Sequence, residues 1–409
     1  MSHIDTIIVG GGQAGLATSY YLTRQGRDHI VLEQAAQAGN AWRNDRWDSF
    51  TLVTPNWATR LPGAEYQGSD PHGFMPRDQL VTYFEDYVER FDLPVHYGER
   101  VTSVEPKPAS RGYRVRMNGD VLEADNVVMA TGLFQRPKQP SFSADLSPDI
   151  LQLHSGQYRN PGMLPPGAVL VVGSAQSGCQ IAEELYQSGR RVYLCVGSAG
   201  RAPRRYRGKD LYEWVHLSGF LNRTPDKLPS PRARFAGNPH LSGRDGGHSL
   251  NLHQFARDGV VLLGRVQGGQ DGALRLAPDL KQNLAKADEF EAQILKLVDR
   301  YVEQSGLDAP QETLPQLRDG YAADEITQLN LKSAGITSII WAMGYAFDFS
   351  LVKLPAFDGA GFPVQQRGVT DYPGLYFVGL PWLHGQKSGL LIGVGEQVKH
   401  VVSHISDNA

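Results

Sequence analysis

The sequence predicts an α/β fold built from two doubly wound units, the second inserted into the first. Three observations carry this prediction. GGGQAG, Gly10 to Gly15, lies between the apolar run IIV and the helix-like LATSYYL. GSAQSG, Gly173 to Gly178, stands in the same position between AVLVV and CQIAEELYQ. Two further apolar runs, NVVMATG and SIIWAMGY, each stop at a small-x-Gly sequence and read as the crossings between the units.

The first unit, DTIIVGGGQAGLATSYYLTRQGRDHIVLE, reads strand, tight turn, helix, strand. Apolar residues recur at helical spacing over Gln13–Gln25, with Gly26 as the cap. The spacing of Gly10, Gly12 and Gly15, with Glu33 closing the second strand, is the full GxGxxG fingerprint. Gly10 is expected to make the turn, Gly12 to let the backbone approach a pyrophosphate, and Gly15 to permit close helix–strand packing. The phosphates would then rest on a helix N-terminus, beside Gln13 and Ala14. Glu33 would accept hydrogen bonds from an adenosine ribose.

The second unit, AVLVVGSAQSGCQIAEELYQSGRRVYLCVGS, repeats the plan with Gly173, Ser174, Ala175, Gln176, Ser177 and Gly178 in the turn. Its second strand ends without an acid, at Gly197 and Ser198, and Arg201, Arg204, Arg205, Arg207 and Lys209 follow. Exchanging a carboxylate for hydroxyl and guanidinium groups turns a ribose-hydroxyl site into a phosphate site. Ser198, Arg201 and Arg204 are therefore expected at a 2′-phosphate, with Arg201 nearest. Two such units most simply hold two dinucleotides: FAD on the acid-terminated first site and NADPH on the second.

Between the units the pattern predicts a helix over Arg77–Phe91, a strand near Val95–Val104 and a β-meander turning at Asn118-Gly119. The domain plan is 1–160, an inserted 161–335 and a return segment 336–409, with RNPGMLPPG as the entry linker. Residues 199–250 read as loop, and 280–304 as a long amphipathic helix. GLYFVGLPWLHGQKSGLLIGVGEQVKHVVSHI reads as a strand, a loop and a helix opening near Ser388-Gly389, suited to the electron-rich edge of a reduced flavin.

Composition sets outer bounds. The 409 residues are 41% hydrophobic and 20% charged, with a formal net charge of −3, an ordinary globular balance. That charge gives no case for nucleic acid or a membrane surface. The N-terminus has no basic n-region or cleavage site, and no apolar run is long enough to span a bilayer. The two cysteines, Cys179 and Cys195, have neither redox-pair nor zinc spacing and are expected as buried free thiols. No histidine/carboxylate cluster has metal spacing; His248 and His253 remain unassigned. A cytoplasmic location is expected, with a homodimer as the expected assembly.

At this point the chain resembles the single-component, class B NADPH-dependent flavin monooxygenases, in particular their flavin-containing, bacterial branch. The likeness rests on GGGQAG, GNAWRNDRWDSFTLVTPNW, MATG, HSGQY, GSAQSG, WAMGY and GLPWLHGQKSG, in the family's order along essentially the whole chain. It implies a glutathione-reductase-type two-domain architecture with the active site at the flavin. It also implies a reaction: NADPH reduces FAD, O₂ adds as a C4a-hydroperoxide, and one oxygen atom passes to a small organic substrate. The resemblance further implies a flavin lined by Gln34, Trp42, Arg43, Trp47, Val101, Ala130, Thr131, Gly132, Gly344, Gln386 and Ser388. Asn56, Tyr345 and His384 are the residues implied at the reacting centre.

Departures qualify the chemistry. His154-Ser-Gly-Gln-Tyr158 keeps only half of the family's long histidine motif, and Phe142 stands too far ahead of it. Tyrosine at its end tilts the expectation from Baeyer–Villiger oxidation toward N- or S-oxygenation or hydroxylation. Met343 replaces the usual threonine, and Leu380 follows Gly379 where related flavoenzymes carry an acid. Three other readings compete: a thiol-linked reductase, which would need a CxxC; an NADPH oxidase without substrate oxygenation; and a non-catalytic flavin-binding redox sensor.

Overall fold

The computed structural model describes residues 3–108, 110–237, 239–270 and 272–408. Its first sheet places Val95–Tyr97, His29–Glu33, His3–Val9 and Asp120–Met129 side by side, all parallel. The ten-residue strand Asp120–Met129 has two partners on its far side. Its first half pairs antiparallel with Tyr113–Met117, which in turn pairs with Val101–Pro106. Its second half pairs parallel with the return strand Leu375–Phe377. The meander turns at Asn118 and Gly119, with φ +39° and +96°, the paired left-handed conformation that an Asn-Gly hairpin supplies.

The second sheet is all parallel, in the order Leu151–His154, Ile336–Trp341, Ala168–Val172, Val192–Cys195, Val261–Leu263. This corrects the expected domain limits. Leu151–His154 and Ile336–Trp341, assigned by the sequence to the first domain, pair in the second. A short apolar strand does not announce its partner, so only pairing reveals which sheet it joins.

Alternation sorts the side chains onto two faces. Ile8, Val31, Val128 and Tyr376 face the helices Gln13–Arg24 and Val394–Asp407, while Ile7, Leu32, Val127, Met129 and Phe377 face Phe349, Val352 and Phe362. The second sheet repeats this, with Val169, Val171, Leu194 and Ile340 under the helix Gln176–Gln187. That first cluster is continuous across both units through Trp47, Phe50, Leu52 and Tyr158, so the domains share apolar core. The helix Leu280–Ser305 covers the insert and ends at Gly306 in the left-handed region.

Residues 199–250 are not uniformly loop: they contain the helix Leu211–Leu217 and short paired strands. The last helix begins at Val394 rather than near Ser388-Gly389, where a short turn Gln386–Gly389 precedes it. No helix among the described residues is long and apolar enough to cross a membrane.

Candidate functional site

The strands of each sheet end level, so each glycine turn lies at the carboxyl edge. Val9 is in register with Leu32 and Met129, and Val172 with Cys195 and Trp341. Gly10 and Gly173 therefore face Ala130 and Ala342, the first residues of the two crossings. A Cβ on Gly10 would lie 2.7 Å from Ala130 O, and one on Gly173 2.5 Å from Ala342 O. At Gly15 and Gly178 a methyl would collide with the carbonyls of Gly10 and Gly173, so the helices can pack this closely only without side chains. Gly12 differs: a Cβ there would meet nothing within 4 Å. That open space, at the start of a helix whose first N–H groups lack partners, suits a diphosphate. Ala175 occupies the corresponding place with nearly the same backbone, φ −80° and ψ −167° against −81° and −175°.

Glu33 folds back over the first turn. Its carboxylate accepts the Gly11 N–H at 2.6 Å and the Ala35 N–H at 2.8 Å, which holds it against Gly11. Gln34 beyond it is exposed, and Val101 is half-buried in its strand opposite Met117. In the second turn, buried Ser174 accepts the Gly197 N–H at 3.0 Å, tying the turn to the end of the neighbouring strand. Gln176 is bound through its side chain to the backbone of Leu241, and Ser177 is half-buried beside it. Ser198, one residue past Gly197, is exposed.

The basic segment behaves differently from its expected role. Arg201 is buried and paired with Asp288 at 2.7 Å and Glu291 at 2.6 Å, both on the long helix. Arg204, only 1% exposed, forms a two-point pair with Asp210, donates to Val53 O at 2.8 Å and lies over Phe74. Arg207 is held by Asp299 and by the carbonyls of Ala309 and Pro310, and Arg205 by those of Gly246 and Gly247. These guanidinium groups already have partners. The expectation that Arg201 and Arg204 stand free for a 2′-phosphate is therefore corrected, and Ser198 remains the exposed polar side chain at the strand end.

Two further segments carry candidate residues, the turn Asn56–Ala58 and the loop 379–389. Asn56 is 6% exposed; its amide donates to Asp70 O at 2.9 Å, but its Oδ1 has no partner. Nearby, Trp57 Nε1 and Thr59 Oγ1 are also buried without partners. Such unmet groups concentrated in one turn are costly unless a ligand meets them. Gly379, at φ +73°, packs on Ala14, and Gln13 donates to Gly389 O at 2.7 Å, joining the return loop to the first turn. Buried Ser388 accepts the N–H groups of His384 and Gly385, which fixes that loop. Gln386 accepts from Arg223 at 2.9 Å. His384 is exposed; partial burial, then Arg367 and Lys387, lower its pKa against the opposing pull of Glu396.

At the second crossing, Gly156 N–H donates to His154 Nδ1 at 3.2 Å, so Nε2 carries the proton and donates to Gly344 O at 3.0 Å. Burial lowers the His154 pKa and favours this neutral form. Tyr345 stacks edge-on against His154, with ring centroids 4.7 Å apart. Beside Tyr345 lies Arg46, which the sequence did not single out, its guanidinium over Trp42 and Phe50. Trp42 is half-buried, Trp47 is buried against Phe50, and Arg43 pairs with Glu85 at 2.5 Å. Thr131 accepts from Gln135 at 3.0 Å, and Gly132, like Gly344, is left-handed.

Cys179 and Cys195 are 0% and 2% exposed, and burial pushes both thiols up. Glu183 pairs with His248 at 2.7 Å, and His253 lies 3.3 Å from Asp288. No group of three or more His, Cys, Asp or Glu among the described residues could hold a metal ion.

Among curated proteins, a CzcO-like oxidoreductase of Geobacillus kaustophilus is 31% identical over 99% of each chain, and CzcO of Bacillus subtilis 29% over 98% of this chain and 99% of its own. A probable indole-3-pyruvate monooxygenase of Arabidopsis thaliana, YUCCA3, is 29% identical over 51% of this chain and 49% of its own. In fold the chain is similar to a flavin-containing monooxygenase of Stenotrophomonas maltophilia (TM-score 0.65, 20% identity, covering 100% of this chain and 99% of the other). It is also similar to a bacillithiol disulfide reductase of Bacillus cereus (TM-score 0.63, 16% identity, 100% of both). The model of the pyridine nucleotide-disulphide oxidoreductases matches residues 7–216. With both glycine turns inside that match and full-length relatives named as oxidoreductases, the chain belongs to the pyridine nucleotide-disulphide oxidoreductase family.

Proposed function

We propose that the protein is a flavin monooxygenase that holds FAD on the Gly10–Gly15 turn and NADPH on the Gly173–Gly178 turn, and oxygenates a small organic molecule with O₂. The observation that carries this reading is the paired construction: two cradles of matching backbone, each locked to one of the two crossings. Bound flavin supplies hydride acceptance and reaction with O₂. The protein supplies position and exclusion of water.

Within that scheme Gly12 leaves room for the flavin diphosphate, and Glu33 is placed for its ribose. Asn56 Oδ1 and Trp57 Nε1 offer an acceptor and a donor toward the flavin edge. His154 holds Gly344 and Tyr345 where the two nucleotides meet. His384 and Gln386 flank the same edge, and Trp42 and Trp47 form its apolar wall. N- or S-oxygenation or hydroxylation is favoured over Baeyer–Villiger oxidation by Tyr158, whose hydroxyl is used by Glu184 at 2.7 Å. Thiol-linked reduction is disfavoured, because both cysteines are sealed away from any disulfide substrate.

The test is anaerobic mixing with NADPH followed by O₂. The reading expects flavin bleaching, then a transient absorbance distinct from both oxidised and reduced flavin, with peroxide below stoichiometry when substrate is present. Immediate return to oxidised flavin with one peroxide per NADPH would instead mark an oxidase. Absence of bleaching would favour a sensor.

A further inference from the structure

The insert does more than carry the second turn. Its segment from Leu211 to Arg223 reaches across to the first domain and touches both walls of the flavin edge. On one side His216 lies against Trp57, with ring centroids 5.1 Å apart, and Glu213 meets His72 at 3.1 Å. On the other, Arg223 O accepts the Gln386 N–H at 3.0 Å while the Arg223 guanidinium donates to Gln386 Oε1. A cavity opens at this end, lined by Asn222, His384, Gly385, Lys387, Ser388 and Glu396; Arg223 is outside this lining and adjoins it, next to Asn222 in the chain and bonded to Gln386.

Its chemistry is one-sided. Arg223 stacks over Phe220 at 3.6 Å and over Trp382 at 5.8 Å. Arg60 lies over Trp57 at 5.7 Å. Neither guanidinium has a carboxylate partner among the described residues, in contrast to Arg201, Arg204 and Arg207. The acids nearby are spoken for: Glu396 by Lys387 at 2.8 Å, and Glu213 by His72 and Lys209. His216 is held below the usual imidazole range by burial, then Arg60 and Lys387, and His384 by burial, then Arg367 and Lys387 against the opposing pull of Glu396. Both rings are therefore neutral at about pH 7, and the positive charge here belongs to the guanidinium and ammonium groups. Stacking leaves a guanidinium edge unblocked: beyond the N–H that Arg223 gives to Gln386 Oε1 and the Nε–H that Arg60 gives to Trp57 O, each keeps further N–H groups able to take a carboxylate.

We propose that this mouth selects substrates bearing a carboxylate on an aromatic body, with Arg223 as the anion-binding residue and Arg60 supporting it. This rests on the monooxygenase reading only for what happens after binding. It is tested with two sulfides differing by one group, 4-(methylthio)benzoate and thioanisole, whose binding is followed by perturbation of the bound flavin's absorbance. The wild-type holoenzyme is expected to bind the carboxylate probe at least about tenfold more tightly, as one charge-assisted pair provides. Arg223→Gln is expected to bring the ratio near one, and Arg223→Lys to restore part of it, with flavin content and melting temperature confirming that both variants fold. Equal binding of the two probes by wild type, no binding of either, or a ratio unchanged in Arg223→Gln would overturn the assignment. A preserved ratio without sulfoxide formation leaves the anion site standing and counts against oxygenation alone.

Discussion

Gly10 and Gly173 share nearly the same φ, +109° and +108°, and at each the carbonyl of an alanine that begins a crossing leaves no room for a side chain. The two turns are thus not merely similar in sequence; each is clamped to the segment linking the domains. Loss at one should be separable from loss at the other. Gly178→Ala places a methyl against Gly173 O and should cost about 1–3 kcal/mol of local packing. The expected outcome is a yellow protein that keeps its FAD but bleaches at least tenfold more slowly with NADPH, measured by anaerobic stopped flow. Gly15→Ala should instead give protein depleted of flavin.

Arg201→Ala should act on stability rather than on nucleotide choice. Removing the guanidinium leaves buried Glu291 without its partner, while Asp288 keeps His253 and the Tyr321 hydroxyl, and breaking such a buried pair costs about 3–5 kcal/mol. Thermal denaturation should show a clear drop in Tm, with NADPH and NADH affected alike. A selective loss of NADPH would return Arg201 to the phosphate.

Ser198→Asp should shift the nucleotide preference. It installs the strand-end carboxylate that the second unit lacks, which repels a 2′-phosphate and accepts ribose hydroxyls. The ratio of kcat/KM for NADPH to that for NADH is expected to fall about tenfold, equivalent to about 1.4 kcal/mol.

His154→Ala should leave flavin bound but loosen Gly344 and Tyr345, freeing the Gly344 carbonyl and Gly156 N–H at a cost of about 1–3 kcal/mol. Slower hydride transfer at saturating NADPH, with unchanged FAD content, is the expected signature. Because burial depresses its pKa, the wild-type step should lose rate on acidification only below the usual imidazole range, and the variant should lose that dependence.

The His248–Glu183 pair gives a pH-dependent stability of definite sign. Glu183, the largest influence, raises the folded pKa of His248 above its ordinary 6.5. The contribution is therefore complete below about pH 6.5 and fades as pH rises through the elevated folded value. Denaturant unfolding of wild type and His248→Gln should differ most on the acidic side of neutrality and converge at higher pH.

The parts legible in the sequence are those whose chemistry is local. Gly10, Gly12, Gly15 and their counterparts declare themselves because a turn, an approach and a close packing each demand no side chain. The Asn118-Gly119 hairpin is legible for the same reason. What is not legible depends on partners distant along the chain. The run of arginines after Ser198 resembles a phosphate site until Asp288 and Glu291, on a helix far downstream, take up Arg201. Ser388 looks like a helix start because serine caps helices, yet its hydroxyl serves His384 and Gly385 instead, and the helix waits until Val394. Arg46, Arg223 and His216 carry no local signal at all. Their significance comes from lying where two domains meet.

The sealed thiols have a practical consequence. Cys179 packs on one side of the second sheet and Cys195 on the other, so a maleimide dye finds no target while that domain is closed. Fluorescent labelling of the unmodified polypeptide thus becomes a background-free clock for opening of the domain that carries the second glycine turn, and the lag that FAD or NADP⁺ adds to it would report how firmly each ligand keeps that domain shut.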